Sequence, residues 1–265
     1  MTRRHHLVPG LLVALAVAAT ACSGPNPNPD ASPSAPGPTP TAPTPTVPPG
    51  SAAPVTGPYA PTIDPGAFRA TVDNPFFPLR PGMTWEYRTS TADGLETTIV
   101  TVTTATKTIM GIVCVEVRDT VRLDGQLKED TFDWYAQHRD GTVWYFGEDT
   151  KEYEDGKVVS TKGSWTAGVA GAHPGIVMPA QPNVGDRYRQ EYLAGQAEDM
   201  AEVLSTNEQA TVPTGTYTGI VTTRDTTPLE PDLLETKYYA RGVGVVLVVD
   251  VHGGGTRDEL VRFSS

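Results

Sequence analysis

The sequence predicts a mostly β protein: a single curved antiparallel meander sheet, an open or half barrel, with little helix. Three observations predict it. From about Asp73 onward the chain is rich in Val, Thr, Tyr and Trp, which fit a pleated, half-buried surface. Asp-Gly occurs at Asp93-Gly94, Asp124-Gly125, Asp140-Gly141 and Asp155-Gly156, each time between β-branched or aromatic residues. That dipeptide suits a two-residue hairpin turn, where both central residues need φ > 0. The stretch is roughly 190 residues long, enough to bury one sizeable core.

The turns divide the chain into expected strands over Met83–Ala92, Leu95–Ala105, Ile112–Leu123, Gln126–Gln137, Thr142–Glu148, Lys151–Glu154 and Lys157–Lys162. Residues 163–185 are rich in Gly, Pro and Ala and are expected to cross the sheet. Strands are expected to resume at Asp186–Leu193, Thr216–Asp225, Leu234–Ala240, Val243–Val251 and Thr256–Phe263. Residues 196–205 fit either a helix face or a strand.

Two-residue turns also predict register. A turn at Asp124-Gly125 pairs Val117 with Phe132, Val115 with Trp134 and Val113 with Ala136. A turn at Asp140-Gly141 pairs Ala136 with Tyr145 and His138 with Val143. Directly paired residues share a face. Val113, Val115, Val117, Phe132, Trp134, Ala136, Val143 and Tyr145 are thus expected to form the core face. The other face would carry Ile112, Cys114, Glu116, Asp133, Tyr135, Gln137, Trp144 and Phe146. Aromatics beside carboxylates make Tyr135, Trp144, Phe146, Glu116 and Asp133 the candidate binding residues for a lipid or other apolar or amphipathic ligand. The alternative is packing under a loop or helix. Glu116 and Asp133, paired directly, would repel unless a cation, a proton or Arg118 intervened.

The N-terminus predicts an address. MTRRHH is basic, Leu7–Ala19 is apolar and uncharged, and small residues precede Cys22. This is the layout of a secretory signal peptide, too short for a stable span. The stretch Ala19-Thr20-Ala21-Cys22 resembles the bacterial lipobox; the resemblance implies that residues 1–21 are a lipoprotein signal peptide and that Cys22 is the acylated residue, carrying chains such as palmitate. The other reading is an ordinary secreted protein cut near Ala21. Residues 22–72 read as the lipidated cysteine and a Pro/Ala/Thr-rich disordered tether, and 73–265 as a single antiparallel β domain. The expected location is the extracytoplasmic side of the cell membrane, held by the lipid.

The chain has 20 basic and 31 acidic residues, and loss of Arg3 and Arg4 with the signal leaves 18 against 31, a net of −13. That disfavours nucleic acid and charge-driven adsorption to anionic lipid. With Cys22 acylated, Cys114 has no partner for a disulfide; mid-strand, it is expected to be buried and poorly reactive. The acidic run Glu148, Asp149, Glu152, Glu154, Asp155 lacks calcium-loop spacing and reads as solvated. No nucleophile elbow, S-x-x-K, H-E-x-x-H or P-loop is present. His138, His173 and His252 all adjoin expected turns. The chain therefore reads as a monomeric non-enzyme with no cofactor or metal. A cell-surface interaction module with a solid core, or a hydrolase with an unrecognised carboxylate site, are the alternatives.

The stretch Asn74-Pro75-Phe76-Phe77-Pro78-Leu79-Arg80-Pro81-Gly82-Met83-Thr84-Trp85-Glu86-Tyr87 resembles the opening of a family of bacterial secreted proteins and predicted lipoproteins, NP-aromatic-FPL-x-PG-x-x-W-x-Y. Asp133–Gln137, Val143–Glu148 and Tyr238–Gly244 match the same pattern, so the resemblance covers nearly the whole expected domain. More distantly, Val212–Tyr217 followed by Tyr239 and Gly242-Val243-Gly244 is similar to open-barrel periplasmic carriers of lipid and lipoprotein. Neither resemblance implies a site residue. In the first motif, the prolines hold an extended lead-in, Gly82 turns it, and Trp85 and Tyr87 begin the first strand.

Overall fold

The computed structural model describes residues 58–251 and 256–265. The expectations for the signal peptide, Cys22 and most of the tether, and for His252, lie outside the described residues. A 3-10 turn, Pro65–Ala67, leads into short strands β1 (Phe68–Arg69), β2 (Val72–Asn74) and β3 (Phe77–Leu79). The long hairpins follow as β4 (Thr84–Thr91), β5 (Gly94–Ile109), β6 (Ile112–Leu123), β7 (Gln126–His138), β8 (Val143–Glu154) and β9 (Lys157–Ser160). The crossing segment holds β10 (Trp165–Thr166) and β11 (His173–Met178) and leads to β12 (Arg187–Arg189) and β13 (Glu191–Tyr192). The second half is β14 (Met200–Val212), β15 (Gly215–Thr227), β16 (Glu230–Ala240), β17 (Gly244–Asp250) and β18 (Arg257–Ser264). The ambiguous stretch 196–205 is strand from Met200 onward, after a turn and an isolated bridge at Ala197, and residues 65–72, expected in the tether, belong to the fold.

One antiparallel sheet dominates, in the order β12-β14-β15-β16-β17-β18-β4-β5-β6-β7-β8-β11-β13. The curved meander expected from the sequence is therefore present, and it nearly closes. Its two edge strands, β12 and β13, are neighbours in the chain, separated by Gln190 alone. The segment 187–192 bonds through β12 to β14 and through β13 to β11, and so stitches the two edges of the sheet together. The approach there is tight: a Cβ on Gly175 of β11 would lie 2.2 Å from the Gln190 carbonyl carbon.

The turn at Asp124-Gly125 forms as expected, with φ of 48° and 83°. The register beyond it differs. Arg122 pairs with Leu127, but Val121 pairs with Glu129, so Lys128 is an extra residue in β7. The Asp140-Gly141 turn is a longer loop over 138–142, closed by His138 N–H donating to Thr142 O at 2.9 Å. Gln137 therefore pairs with Val143, and Tyr135 with Tyr145. A one-residue slip moves side chains to the other face. Val115, Val117, Val143 and Tyr145 face the interior as expected, joined by Asp133, Tyr135 and Gln137 from the face expected to be mixed. Phe132, Trp134 and Ala136 fall on the outer face, and Val113 is 47 % exposed.

The motif at 74–79 is a small hairpin, β2 with β3, pairing Asn74 with Phe77. It plugs one end of the barrel. Asn74 Nδ2 donates to Gly141 O at 3.0 Å and Pro179 O at 3.1 Å, and its Oδ1 accepts from Phe76 N–H. Gln137 Oε1 accepts from the N–H groups of Asp73 and Asn74. On the far wall Gly242 N–H donates to Pro75 O, and Trp85 Nε1 donates to Val243 O at 2.8 Å. The motif's two ends thus tie opposite walls together. The outer faces of the long strands carry exposed Arg88, Arg118, Arg122, Arg224 and Arg257, unlike the apolar outer band of a membrane-spanning barrel.

Candidate functional site: an acid-lined half of the barrel

Inward-facing positions alternate along each strand, and their chemistry changes from one end of the barrel to the other. In β5 they run Glu96, Thr98, Val100, Val102; in β6, Val115, Val117, Asp119, Val121; in β7, Glu129, Thr131, Asp133, Tyr135, Gln137. All are buried. Near the plug the interior is apolar and aromatic. Tyr135 stacks on Tyr145 with centroids 4.8 Å apart, Phe77 packs edge-on against Tyr135, and Trp165 edge-on against Tyr145. Toward the Asp124-Gly125 end it is crowded with carboxylates.

The best-defined part is a chain of three acids. Tyr145 OH lies 2.6 Å from Asp133 Oδ1 and 2.8 Å from Glu148 Oε2. Asp133 and Glu148 are direct cross-strand partners. Glu148 also pairs with Trp165 of β10, whose Nε1 donates to Glu191 Oε2 at 2.8 Å. Further round the wall Lys237 Nζ meets Asp225 Oδ2 at 2.8 Å, and Glu235 lies 4.0 Å away. Glu96 Oε1, Asp119 Oδ1, Glu129 Oε2, Asp133 Oδ2 and Glu148 Oε1 are buried with no hydrogen-bond partner among the described residues.

Burial without matching positive charge raises these carboxyl groups. Asp133 is pushed up to about 7, against the opposing effect of the Tyr145 hydrogen bond. Burial raises Glu148 and Glu191 well above the usual carboxylate range; next in size are the charge of Glu191 on Glu148 and that of Asp199 on Glu191. Burial carries Glu96 to about 7 and Glu129 to about 8, and lifts Asp119 well above its ordinary value. Asp199 and Asp258 also rise to about 7 through burial, Asp199 despite the charge of Lys237.

The cavity lined by Tyr87, Thr98, Val100, Asp119, Val245, Val248 and Asp258 measures about 10 Å³, space for about one water. Among the described residues no group of three or more His, Cys, Asp or Glu side chains is arranged to hold a metal ion, and no helix is long and apolar enough to cross a membrane.

The five candidate binding residues from the sequence are not brought together. Asp133 and Tyr135 point inward. Glu116, Trp144 and Phe146 lie on the outer face, where Phe68 of β1 covers the two aromatics with ring centroids 6.1 and 5.4 Å away. Glu116 pairs with Trp134 rather than Asp133, and it accepts from Thr103 Oγ1 and Trp134 Nε1. Tyr135 pairs with Tyr145, not Phe146, and Trp144 with Ala136, not Gln137. Glu148, read as solvated, is 2 % exposed. Cys114 is fully buried, and burial pushes its thiol up to about 12. The sequence reading missed Glu96, Asp119, Glu129, Glu148 and Glu191. The available signal was phase: in β5, β6 and β7 the acids fall on the same alternate positions as the core residues.

No family model matches the chain, and no curated protein matches it. A solved structure of a "putative lipoprotein" from Parabacteroides distasonis ATCC 8503 is similar at 12% identity with a TM-score of 0.39, covering 71% of this chain and 98% of that one.

Proposed function

We propose that this chain is a lipid-anchored extracytoplasmic β-barrel protein, monomeric and non-enzymatic, that acts through its outer surface as an interaction module held off the membrane by its Pro-rich tether. The observation that carries this reading is the packing of aromatic rings inside the barrel near the plug. Tyr135, Tyr145, Phe77 and Trp165 pack ring against ring where a carrier would need open apolar space, and the cavity beside Asp119 has space for about one water. The outer aromatics Trp144 and Phe146 are covered by Phe68, which disfavours them as an open lipid-binding face. The order of basic, apolar and small residues before Cys22, followed by the tether, supports the anchor. Acylation with more than one chain is required for stable attachment.

Two measurements test the reading. Cys22→Ala should release the protein to the medium or leave an unprocessed precursor; retention in the membrane fraction at mature mobility overturns the anchor. Native mass spectrometry of the purified chain should show no lipid mass beyond the covalent anchor. Stoichiometric non-covalent lipid would return the chain to the carrier reading.

A further inference from the structure

We propose that the Asp133–Tyr145–Glu148 triad, linked through Trp165 to Glu191, is a proton-operated latch on the seam of the barrel: protonated it holds the seam shut, and deprotonated it loosens it. The geometry requires the proton. Tyr145 OH carries one hydrogen, yet its oxygen is within hydrogen-bond distance of both Asp133 Oδ1 and Glu148 Oε2. One contact uses the phenol hydrogen. The other needs a hydrogen from a carboxyl group donating to the phenol oxygen. At least one of the two acids is therefore neutral in this arrangement. The remaining oxygens, Asp133 Oδ2 and Glu148 Oε1, are buried with no hydrogen-bond partner among the described residues to offset a second charge.

The position makes this a latch. Glu148 sits opposite Trp165, and Trp165 holds Glu191. Glu191 belongs to β13, the strand that closes the barrel on β11 by pairing Glu191 with Pro174 and Tyr192 with His173. The charged groups that face the triad from neighbouring elements are themselves mostly acidic. Asp119 comes from β6, Glu129 from β7 and Asp199 from the segment before β14; the basic groups at and near the seam are Arg189 of β12, 3.8 Å from Glu198 and over the Tyr192 ring, His173 of β11, which pairs with Tyr192, and Lys237 of β16, 2.8 Å from Asp225 and 4.0 Å from Glu235. Losing protons would place charges on Glu148 and Glu191 side by side beneath a seam of only a few backbone hydrogen bonds. Burial carries Asp133 to about 7 and raises Glu148 and Glu191 well above the usual carboxylate range. The sign follows: a carboxyl raised in the fold contributes stability that is complete below its unfolded value, near 4, and disappears as pH climbs through its folded value.

The test is hydrogen exchange of the full mature chain in detergent, corrected for the intrinsic pH dependence of exchange. Between pH 6 and 8.5, protection in segments 173–178 and 187–192 should fall roughly ten-fold or more, the effect of one pKa unit, while the β5–β6 hairpin stays protected. Glu148→Gln keeps the size of the side chain and removes its charge, and should preserve seam protection at pH 8.5. Asp133→Asn is the second variant should the first fail to fold. Seam protection that does not change with pH overturns the latch, as does a wild-type pH response in a folded variant.

Discussion

The barrel interior around Phe77 and Tyr135 is held by apolar burial and ring packing, whereas the interior around Asp119, Glu129 and Glu235 consists of buried acids served by hydroxyl groups and by Lys237. Both halves lie on the same strands. Their difference shows that a continuous sheet can carry two kinds of stability. Apolar burial does not depend on pH, and stability built on neutral carboxyl groups lasts only as long as the protons do. The plug hairpin adds a third contribution, from buried polar bonds between opposite walls at the apolar end.

The largest separation between the halves should come from pH alone. Glu96, Asp133, Asp199 and Asp258 rise to about 7 and Glu129 to about 8. The folded chain therefore binds more protons than the unfolded chain between about pH 4 and 8, and stability falls across that window. Thermal melts should give a lower Tm at pH 8 than at pH 5.5. A Tm that is flat or rising would mean that the acid half is ionised in the fold.

Two substitutions sharpen this. Phe77→Ala in the apolar half should cost about 3–5 kcal/mol by urea denaturation, the same at both pH values. Lys237→Met in the acid half should cost a similar amount, about 3–5 kcal/mol at pH 8, because it strips Asp225 of its buried partner. At pH 5.5 the cost should shrink, since neighbouring carboxyl groups take up protons. Equal pH responses in the two variants would erase the distinction.

Asn74→Ala probes the plug. It removes the donors to Gly141 O and Pro179 O and leaves Phe76 N–H without its acceptor. The expected loss is about 1–3 kcal/mol, independent of pH. The smallest effect is expected at Cys114. The native thiol should react slowly with a thiol reagent and quickly once denatured, with no change in stability before labelling. Rapid native labelling would place it on an open surface.

Much of the fold was legible. Asp124-Gly125 and Asp155-Gly156 turn where the sequence places them, both with φ > 0, and β6 spans the residues expected of it. The candidate site was not legible, and the cause is local. A single extra residue at Lys128 and a loop longer than two residues at 138–142 each shift pairing by one. In a period-two structure that reassigns every face. The apolar consistency that favoured the expected register came from Phe132, Trp134 and Ala136. On the outer face Lys107 Nζ lies 3.2 Å from the centre of the Trp134 ring, Arg118 lies over Phe132, and Ala136 pairs with Trp144, which Phe68 covers.

The sequence by itself determined the class of fold and the order of the meander, because turns and strand composition are properties of short stretches of chain. Tertiary structure decided the rest. Whether Asp133 faces the interior depends on where β6 and β7 bulge, and whether it can ionise depends on Tyr145, Glu148 and Glu191, which reach it only when β8, β10 and β13 assemble round it. The closing seam likewise exists only because Gln190 places β12 and β13 on opposite edges of one sheet. Such contacts are long-range, and no local pattern encodes them.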